Sequence, residues 1–206
     1  MSDTDKQIEE LKPLLRAVLI SLGENPEREG LKKTPQRWAE ALISYTQGIN
    51  QSPEDHLKVI FELEKDEYPA QTDDMVMVDN IEFVSTCEHH MAPFWGRAHI
   101  AYIPNPETRR ITGLSKLSRL VEVFSNRLQI QERMANQIAN AIDEILLPLG
   151  VIVVIRAMHF CMIQRGVKQR SSSALTTARR GMFLDNPELE TKFQNYLSFC
   201  SNSKDL

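Results

Sequence analysis

The sequence predicts an α+β fold. Apolar residues recur at helical spacing through several stretches, other runs have the length and β-branched content of strands, and the two kinds of segment are segregated. The organisation expected is a helical region with a connecting segment over 1–74, a core over 75–184, and a helix and tail over 185–206. At 206 residues the chain can bury a sizeable core in one domain with a small appendage.

Residues 6–22 carry Ile8, Leu11, Leu14, Leu15, Val18, Leu19 and Leu22 on one helical stripe, with Pro13 near the start and Gly23 as the stop. A loop follows, and Thr34-Pro35 reads as N-cap and first helical residue of a helix to about Tyr45, with Trp38, Leu42 and Ile43 inward. Residues 49–75 are mixed and acidic, and are expected to connect. Met75 to Val78 and Ile81 to Val84 read as strand, as does Arg97 to Ile103, ended by Pro104-Asn105-Pro106. Gly113 opens a helix with Ser115 as its N-cap and Leu117, Leu120, Val121, Phe124 and Leu128 along one face. The next starts near Gln131, buries Met134, Ile138, Ile142 and Ile145, and ends at Pro148. Val151 to Met162 predicts a long strand, and Ser171 to Thr177 a further strand or a polar loop. Asn186-Pro187 caps a last short helix with Leu189, Phe193 and Tyr196 inward.

Composition narrows the function classes. The net charge of −4 gives no general attraction to nucleic acid or anionic membrane, and no apolar run approaches the ~20 residues of a membrane span. Basic residues cluster locally at Arg109-Arg110, Lys116/Arg119 and Arg165 to Arg170, as solvated surface or as a seat for a small polyanion. Three cysteines argue against a disulfide framework and for a reducing compartment. With an acidic, polar opening that is no secretory signal, a cytoplasmic protein without nucleic-acid or membrane partners is expected.

The chemistry concentrates in two places. Cys87-Glu88-His89-His90 puts a thiol and two imidazoles together, and His159-Phe160-Cys161 adds a second pair downstream. On a strand, His159 and Cys161 would share a face. A lone histidine there would serve as a structural residue; beside a second Cys/His group, a metal becomes the better account. Cys87 and His90, three apart, can converge from a tight turn, and Cys161 completes a Cys2His set that leaves a fourth zinc position for water. His89 and His159 remain beside the metal as candidate proton shuttles. Glu88 is either a partner orienting an imidazole or a surface carboxylate. The helix start at Ser115, with Lys116 and Arg119 one turn apart, offers an anion site or an ordinary solvated face. Glu132 either favours the helix dipole or accepts two donors of a guanine.

In order along the chain stand Ser-Thr-Cys-Glu-His-His, Ala-Tyr-Ile-Pro, Gly-Leu-Ser-Lys, Gln-Glu-Arg, His-x-Cys and Arg-Gly-Val, preceded by Pro-Glu-Arg-Glu-Gly-Leu and Thr-Pro-x-Arg. Together they resemble the GTP cyclohydrolase I family, from about residue 10 to 184. The resemblance implies Zn2+ on Cys87, His90 and Cys161, and catalytic roles for His89 and His159. It implies guanine on Gln131 and Glu132, ribose by Ser115, and triphosphate on Lys116, Arg119, Arg165 and a neighbouring subunit's counterpart of Arg37. It also implies the tunnelling fold, an antiparallel sheet with helices on one face and an N-terminal helical extension, whose sheets join into a barrel in a homodecamer of two pentamers. The activity implied is conversion of GTP to 7,8-dihydroneopterin triphosphate and formate. The rivals are an enzyme of the same fold on another pterin or a deazapurine, and a non-catalytic zinc-binding assembly protein.

Overall fold

A computed structural model describes residues 1–57, 60–62 and 74–202. The chain forms two compact units, Met1–Gln47 and Gly48–Leu206.

The first unit is a helix pair. α1, Asp3–Ser21, begins in a capping box: the Ser2 hydroxyl accepts from the Asp5 N–H at 3.1 Å and the Asp5 carboxylate accepts from the Ser2 N–H at 2.8 Å. Pro13 is accommodated inside the helix. Of the expected stripe, Leu15 and Leu19 are buried and Ile8 and Leu11 half-buried, whereas Leu14, Val18 and Leu22 are exposed. α2, Thr34–Thr46, buries Pro35 and Ala39, with Trp38, Leu42 and Ile43 half-buried. Its N-cap is Lys33 rather than Thr34, because the Thr34 hydroxyl turns back to the Gly30 carbonyl at 3.4 Å.

The second unit opens with a 3₁₀ turn, Gln47–Asn50, then α3, Pro53–Leu57, and β1, Ile60–Glu62. The expected connecting segment is therefore partly regular; the rest of it, 58–59 and 63–73, lies outside the described residues. Gly48 has a physical reason here: its N–H donates to the Asn126 carbonyl at 2.9 Å, and a Cβ would sit 2.2 Å from the Val123 oxygen.

The main sheet is built from β2, Val76–Cys87; β3, Ala92–Ile103; β5, Leu128–Gln129; β6, Gly150–His159; and β7, Ala174–Gly181. Its order is β5-β2-β3-β6-β7. All neighbours are antiparallel except β5, which runs parallel to β2. The two runs expected near 75–84 are one strand, because a bulge between Val78 and Ile81 re-registers it on β3 and places Asn80 at φ 53°. A separate small ladder pairs β1 with β4, Arg110–Thr112. The fold is mixed α+β with an antiparallel-rich sheet.

α4, Leu114–Ser125, and α5, Gln131–Leu146, cover one face of the sheet. Leu117, Leu120, Val121 and Phe124 of α4 and Met134, Ile138 and Ile142 of α5 are buried against Phe83, Phe94, Ile100, Tyr102, Val153 and Ile155. Leu128 is not on the α4 stripe, since the helix ends at Ser125 and Leu128 pairs with Thr86. Ser115 is not the N-cap either. Gly113 takes that position without a side-chain bond, and Ser115 lies in the first turn, exposed.

Beyond β6 the chain departs most from expectation. The β3–β6 ladder ends at Phe94 opposite His159, and the β6–β7 ladder at Ala174 opposite Ala157. β3 continues to Ala92 paired with β2 alone, while the chain after β6 turns into α6, Phe160–Ile163, with the Gln164 N–H on the Phe160 carbonyl at 3.0 Å. Cys161 therefore sits on a helical turn and not on the strand.

α7, Met182–Asp185, and α8, Pro187–Asn202, follow β7. Phe183, Leu189 and Phe193 pack on Ala101, Ile103 and Ile152, the opposite face from α4 and α5. Helices are thus not confined to one face: α7 and α8 cover the end of the other. Tyr196, expected inward, is 41% exposed.

Gly96 stands opposite Ala157, two pairs in from the Phe94–His159 end of the β3–β6 ladder, where a Cβ would lie 1.9 Å from the Arg156 oxygen and 2.6 Å from the Ala157 Cα. Backbone cannot yield there without parting the strands. Gly96→Ala should cost about 2–4 kcal/mol of stability, measured by urea unfolding against the parent; an unchanged midpoint would show that the ladder can shift to admit the methyl.

Candidate active site

The β2–β3 hairpin presents the first cluster. Cys87 ends β2 and pairs with Ala92. The loop between them closes when the His90 and Met91 N–H groups donate to the Cys87 carbonyl at 3.3 and 2.9 Å, with Met91 left-handed at φ 51°. On its other side the Glu88 N–H donates to the Gln129 carbonyl at 3.0 Å, extending the short β5 pairing. The turn is fixed from both sides by backbone bonds.

Cys161 comes from α6, at the end of the neighbouring β6. The ligand atoms of Cys87, His90 and Cys161 lie within 4.8 Å of one another, and Cys87 Sγ is 3.9 Å from His90 Nδ1. Tetrahedral zinc holds a sulfur and a nitrogen about 3.6 Å apart, so small side-chain rotations bring the set onto one ion. Burial, and then the Cys87 thiol beside it, pushes the Cys161 thiol above its ordinary range. A cation must displace that proton, and its affinity falls as pH drops. The residues fit a zinc ion.

His159 ends β6 directly opposite Phe94. The two rings stack at 4.8 Å with 1° between planes, and Phe94 is fully buried. His159 Nε2 is 2.8 Å from Gln131 Oε1. Burial lowers the His159 pKa, the Glu132 carboxylate partly opposing it, which favours the neutral ring. His89 is different: its side chain is 63% exposed, and its Nε2 lies 4.0 Å from Glu88, beyond hydrogen-bond reach. The Glu88 carboxylate instead binds Arg133, whose guanidinium also reaches the Leu128 carbonyl at 2.9 Å and Gln129 Oε1 at 3.0 Å. Arg133 holds that carboxylate below its usual range. Glu88 therefore anchors the turn to α5, a role between the two expected for it.

The other expected residues divide. Gln131 is buried and committed inside the chain: its amide nitrogen meets the Ile155 carbonyl at 2.9 Å, the Ala174 carbonyl at 3.2 Å and Thr176 Oγ1 at 3.2 Å. Glu132, next to it, is exposed, as are Ser115, Arg119 and Arg165, and Lys116 is half-buried. Arg37 is exposed on α2, in the N-terminal unit. Among the described residues, the side chains of Arg37, Lys116, Arg119 and Arg165 and the Glu132 carboxylate make no hydrogen bond or ion pair.

A family model described as GTP cyclohydrolase I matches residues 11–198. The chain belongs to the GTP cyclohydrolase I family. A relative named GTP cyclohydrolase 1 from Deinococcus radiodurans is 46% identical over 185 residues, 90% of this chain and 82% of its own length. Another of the same name from Clostridium kluyveri is 45% identical over 182 residues, 88% of this chain and 93% of its own. The chain is an enzyme of the GTP cyclohydrolase I type. Within that frame, Phe94 and Arg133 are the site residues the sequence left unassigned. Phe94 carries no local signal, since its part follows from strand register. Arg133 stands in the Gln-Glu-Arg motif, but only the fold reveals that it faces Glu88.

The three-ligand set yields a direct test. Cys87→Ser, His90→Ala and Cys161→Ser should each lose bound zinc, read as metal per chain by plasma mass spectrometry, because two protein ligands remain. Parent protein should release zinc as pH falls. A variant that keeps one zinc per chain would remove its residue from the set.

Proposed function

We propose that the chain converts GTP to 7,8-dihydroneopterin triphosphate and formate at a zinc site made by Cys87, His90 and Cys161. The observation that carries this is the approach of those three ligand atoms, in a chain of this family, with His159 two residues before Cys161. When bound, zinc supplies a Lewis acid and lowers the pKa of a water towards ~7. Two waters are consumed in opening the imidazole ring and releasing formate, and one returns when the pterin ring closes. His159 takes a proton from the attacking water and gives it to N7 as the ring opens. His89 and Ser115 serve the later rearrangement of the ribose.

Binding follows from charge. The Glu132 carboxylate accepts the N1–H and 2-amino hydrogens of guanine. GTP carries about four negative charges, too many for the α4 N-terminus alone, so Lys116, Arg119 and Arg165 converge on the triphosphate. Arg37 joins them from an adjoining subunit of a homodecamer of two pentamers, whose sheets close the tunnelling barrel. No helix among the described residues is long and apolar enough to cross a membrane. Cysteine usage supports a cytoplasmic location.

Incubation with GTP should give one formate per pterin product and a new ultraviolet absorbance, dependent on zinc. Bound zinc without turnover would instead indicate an assembly protein; turnover of a deazapurine or pterin alone would indicate the other rival. Glu132→Gln turns an acceptor into a donor facing guanine's own donors, and should raise KM for GTP about 10- to 100-fold with zinc intact. Unchanged KM would take Glu132 out of the site.

Sharing across subunits makes a sharper test. Arg37→Ala and His159→Ala proteins should each be inactive. Co-expressed, they should recover part of the activity, because some interfaces combine an intact Arg37 with an intact His159. No recovery in an isolated mixed oligomer would assign both residues to one subunit's site or leave Arg37 a structural role.

A further inference from the structure

Gln131 sits at the first residue of α5 and is 1% exposed. Its amide is a two-ended connector between the β6 backbone and the His159 ring. At one end, Nε2 lies 2.9 Å from the Ile155 carbonyl and 3.2 Å from the Ala174 carbonyl. Both partners are acceptors and nothing else, so the end facing them must be the NH2. Turning the amide over would aim a carbonyl at two carbonyls in a buried place. The other end is therefore fixed as oxygen, and it is this oxygen that meets His159 Nε2 at 2.8 Å.

An amide oxygen can only accept. The hydrogen in that bond must come from the imidazole, which makes Nε2 the N–H nitrogen of His159. The second ring nitrogen, Nδ1, has no hydrogen-bond partner among the described residues. The ring plane is fixed independently by the Phe94 stack at 4.8 Å and 1°. Stacking sets the plane, and the Gln131 bond sets the rotation within it.

We propose that Gln131 is a positioning residue that locks His159 in its Nε2–H tautomer and leaves Nδ1 as the ring nitrogen offered to substrate. This rests on the acid–base role given to His159 above. It replaces direct guanine contact as the function of the Gln131 side chain, whose donors and acceptor are already engaged. Glu132, one residue on and exposed, keeps that contact.

The test reads the tautomer directly. Zinc-loaded protein labelled with 15N-histidine is sedimented for solid-state NMR near neutral pH, and the His159 signals are assigned by their loss in His159→Asn. The parent should show a protonated Nε2 and an unprotonated Nδ1. Gln131→Met, of similar length but without the amide, should lose that single pattern for a mixture or the opposite tautomer. Its kcat should fall about 10- to 100-fold, within the range a general acid or base contributes, with KM for GTP changed less than about threefold. A protonated Nδ1 with bare Nε2 in the parent overturns the proposal whether or not the variant folds. So does a raised KM with unchanged kcat, which would mark Gln131 as a guanine contact. Parent protein that shows the expected tautomer but does not turn over GTP would refute the activity proposed above and leave the Gln131–His159 lock standing.

Discussion

Phe94 stands opposite Ser85 on one side and His159 on the other. That double pairing sets where Cys87 and His159 fall. Counting from it, Cys87 reaches the end of β2 where the loop to Ala92 begins, and β6 runs out beside the same hairpin. A one-residue slip of β6 on β3 would send the His159 ring to the opposite face and take it off Phe94. Register here is strongly held because the face it presents is buried: Ile100 and Tyr102 on β3, Val153 and Ile155 on β6 are fully enclosed beneath α4 and α5. The apolar packing that stabilises the core is thus also what aligns the polar end of the sheet.

The first turn of α5 ties the two halves of the site together. Gln131 reaches the β6–β7 side, bonding the backbone at Ile155 and Ala174 and the ring of His159. Arg133, two residues on and so on the other side of the helix, reaches the β2–β5 side, bonding Glu88 and the Leu128 carbonyl. One helix start is consequently bonded to both chain segments that carry the candidate metal ligands. Removing the buried Gln131 amide would leave polar groups without partners, at a cost of about 1–3 kcal/mol, while the partly exposed Arg133–Glu88 pair is screened by solvent. The net worth of each satisfied bond is smaller. The value of this arrangement is that the Cys87–His90 turn and the His159–Cys161 segment are referenced to the same rigid element.

Much of this was legible in the sequence, for identifiable reasons. The α4 and α5 stripes are strongly periodic, and the thiol–imidazole pairs have ligand spacing that survives any reasonable fold. The long strands β2, β3 and β6 were found because β-branched runs are short and well bounded, whereas the short β1, β4 and β5 were not expected. Failures came where tertiary partners decide. The end of β6 is a helical turn where its ladders to β3 and β7 end, which no local residue announces. Ser115 looks like a cap by type, yet Gly113 occupies the position. Tyr196 follows a helical period onto a face that only partly meets the sheet. Phe94, a phenylalanine among eight, could not be singled out before strand register placed it over His159.

The charges left without partners bear on how a nucleotide would be oriented. Three arginines of the second unit are paired with carboxylates: Arg97 with Glu82 at 3.1 Å, Arg179 with Glu190 at 2.7 Å, Arg133 with Glu88. Among the described residues, the side chains of Lys116, Arg119 and Arg165 and the Glu132 carboxylate have no such partner. GTP makes opposite demands at its two ends. The triphosphate needs cations, while the Watson–Crick edge of guanine presents donors that a carboxylate alone can accept in pairs. On the activity proposed, a site of one sign would repel one end or bind the molecule in either direction. Free cations from α4 and the segment after α6, with a free carboxylate on α5, would bind both ends of one orientation and oppose the reverse. His159 acts in the same way at closer range. Its neutral form adds no charge beside Glu132 until a proton arrives, and the carboxylate then favours the imidazolium by opposite charge. The carboxylate that orients the purine would thus also help His159 hold the proton it takes.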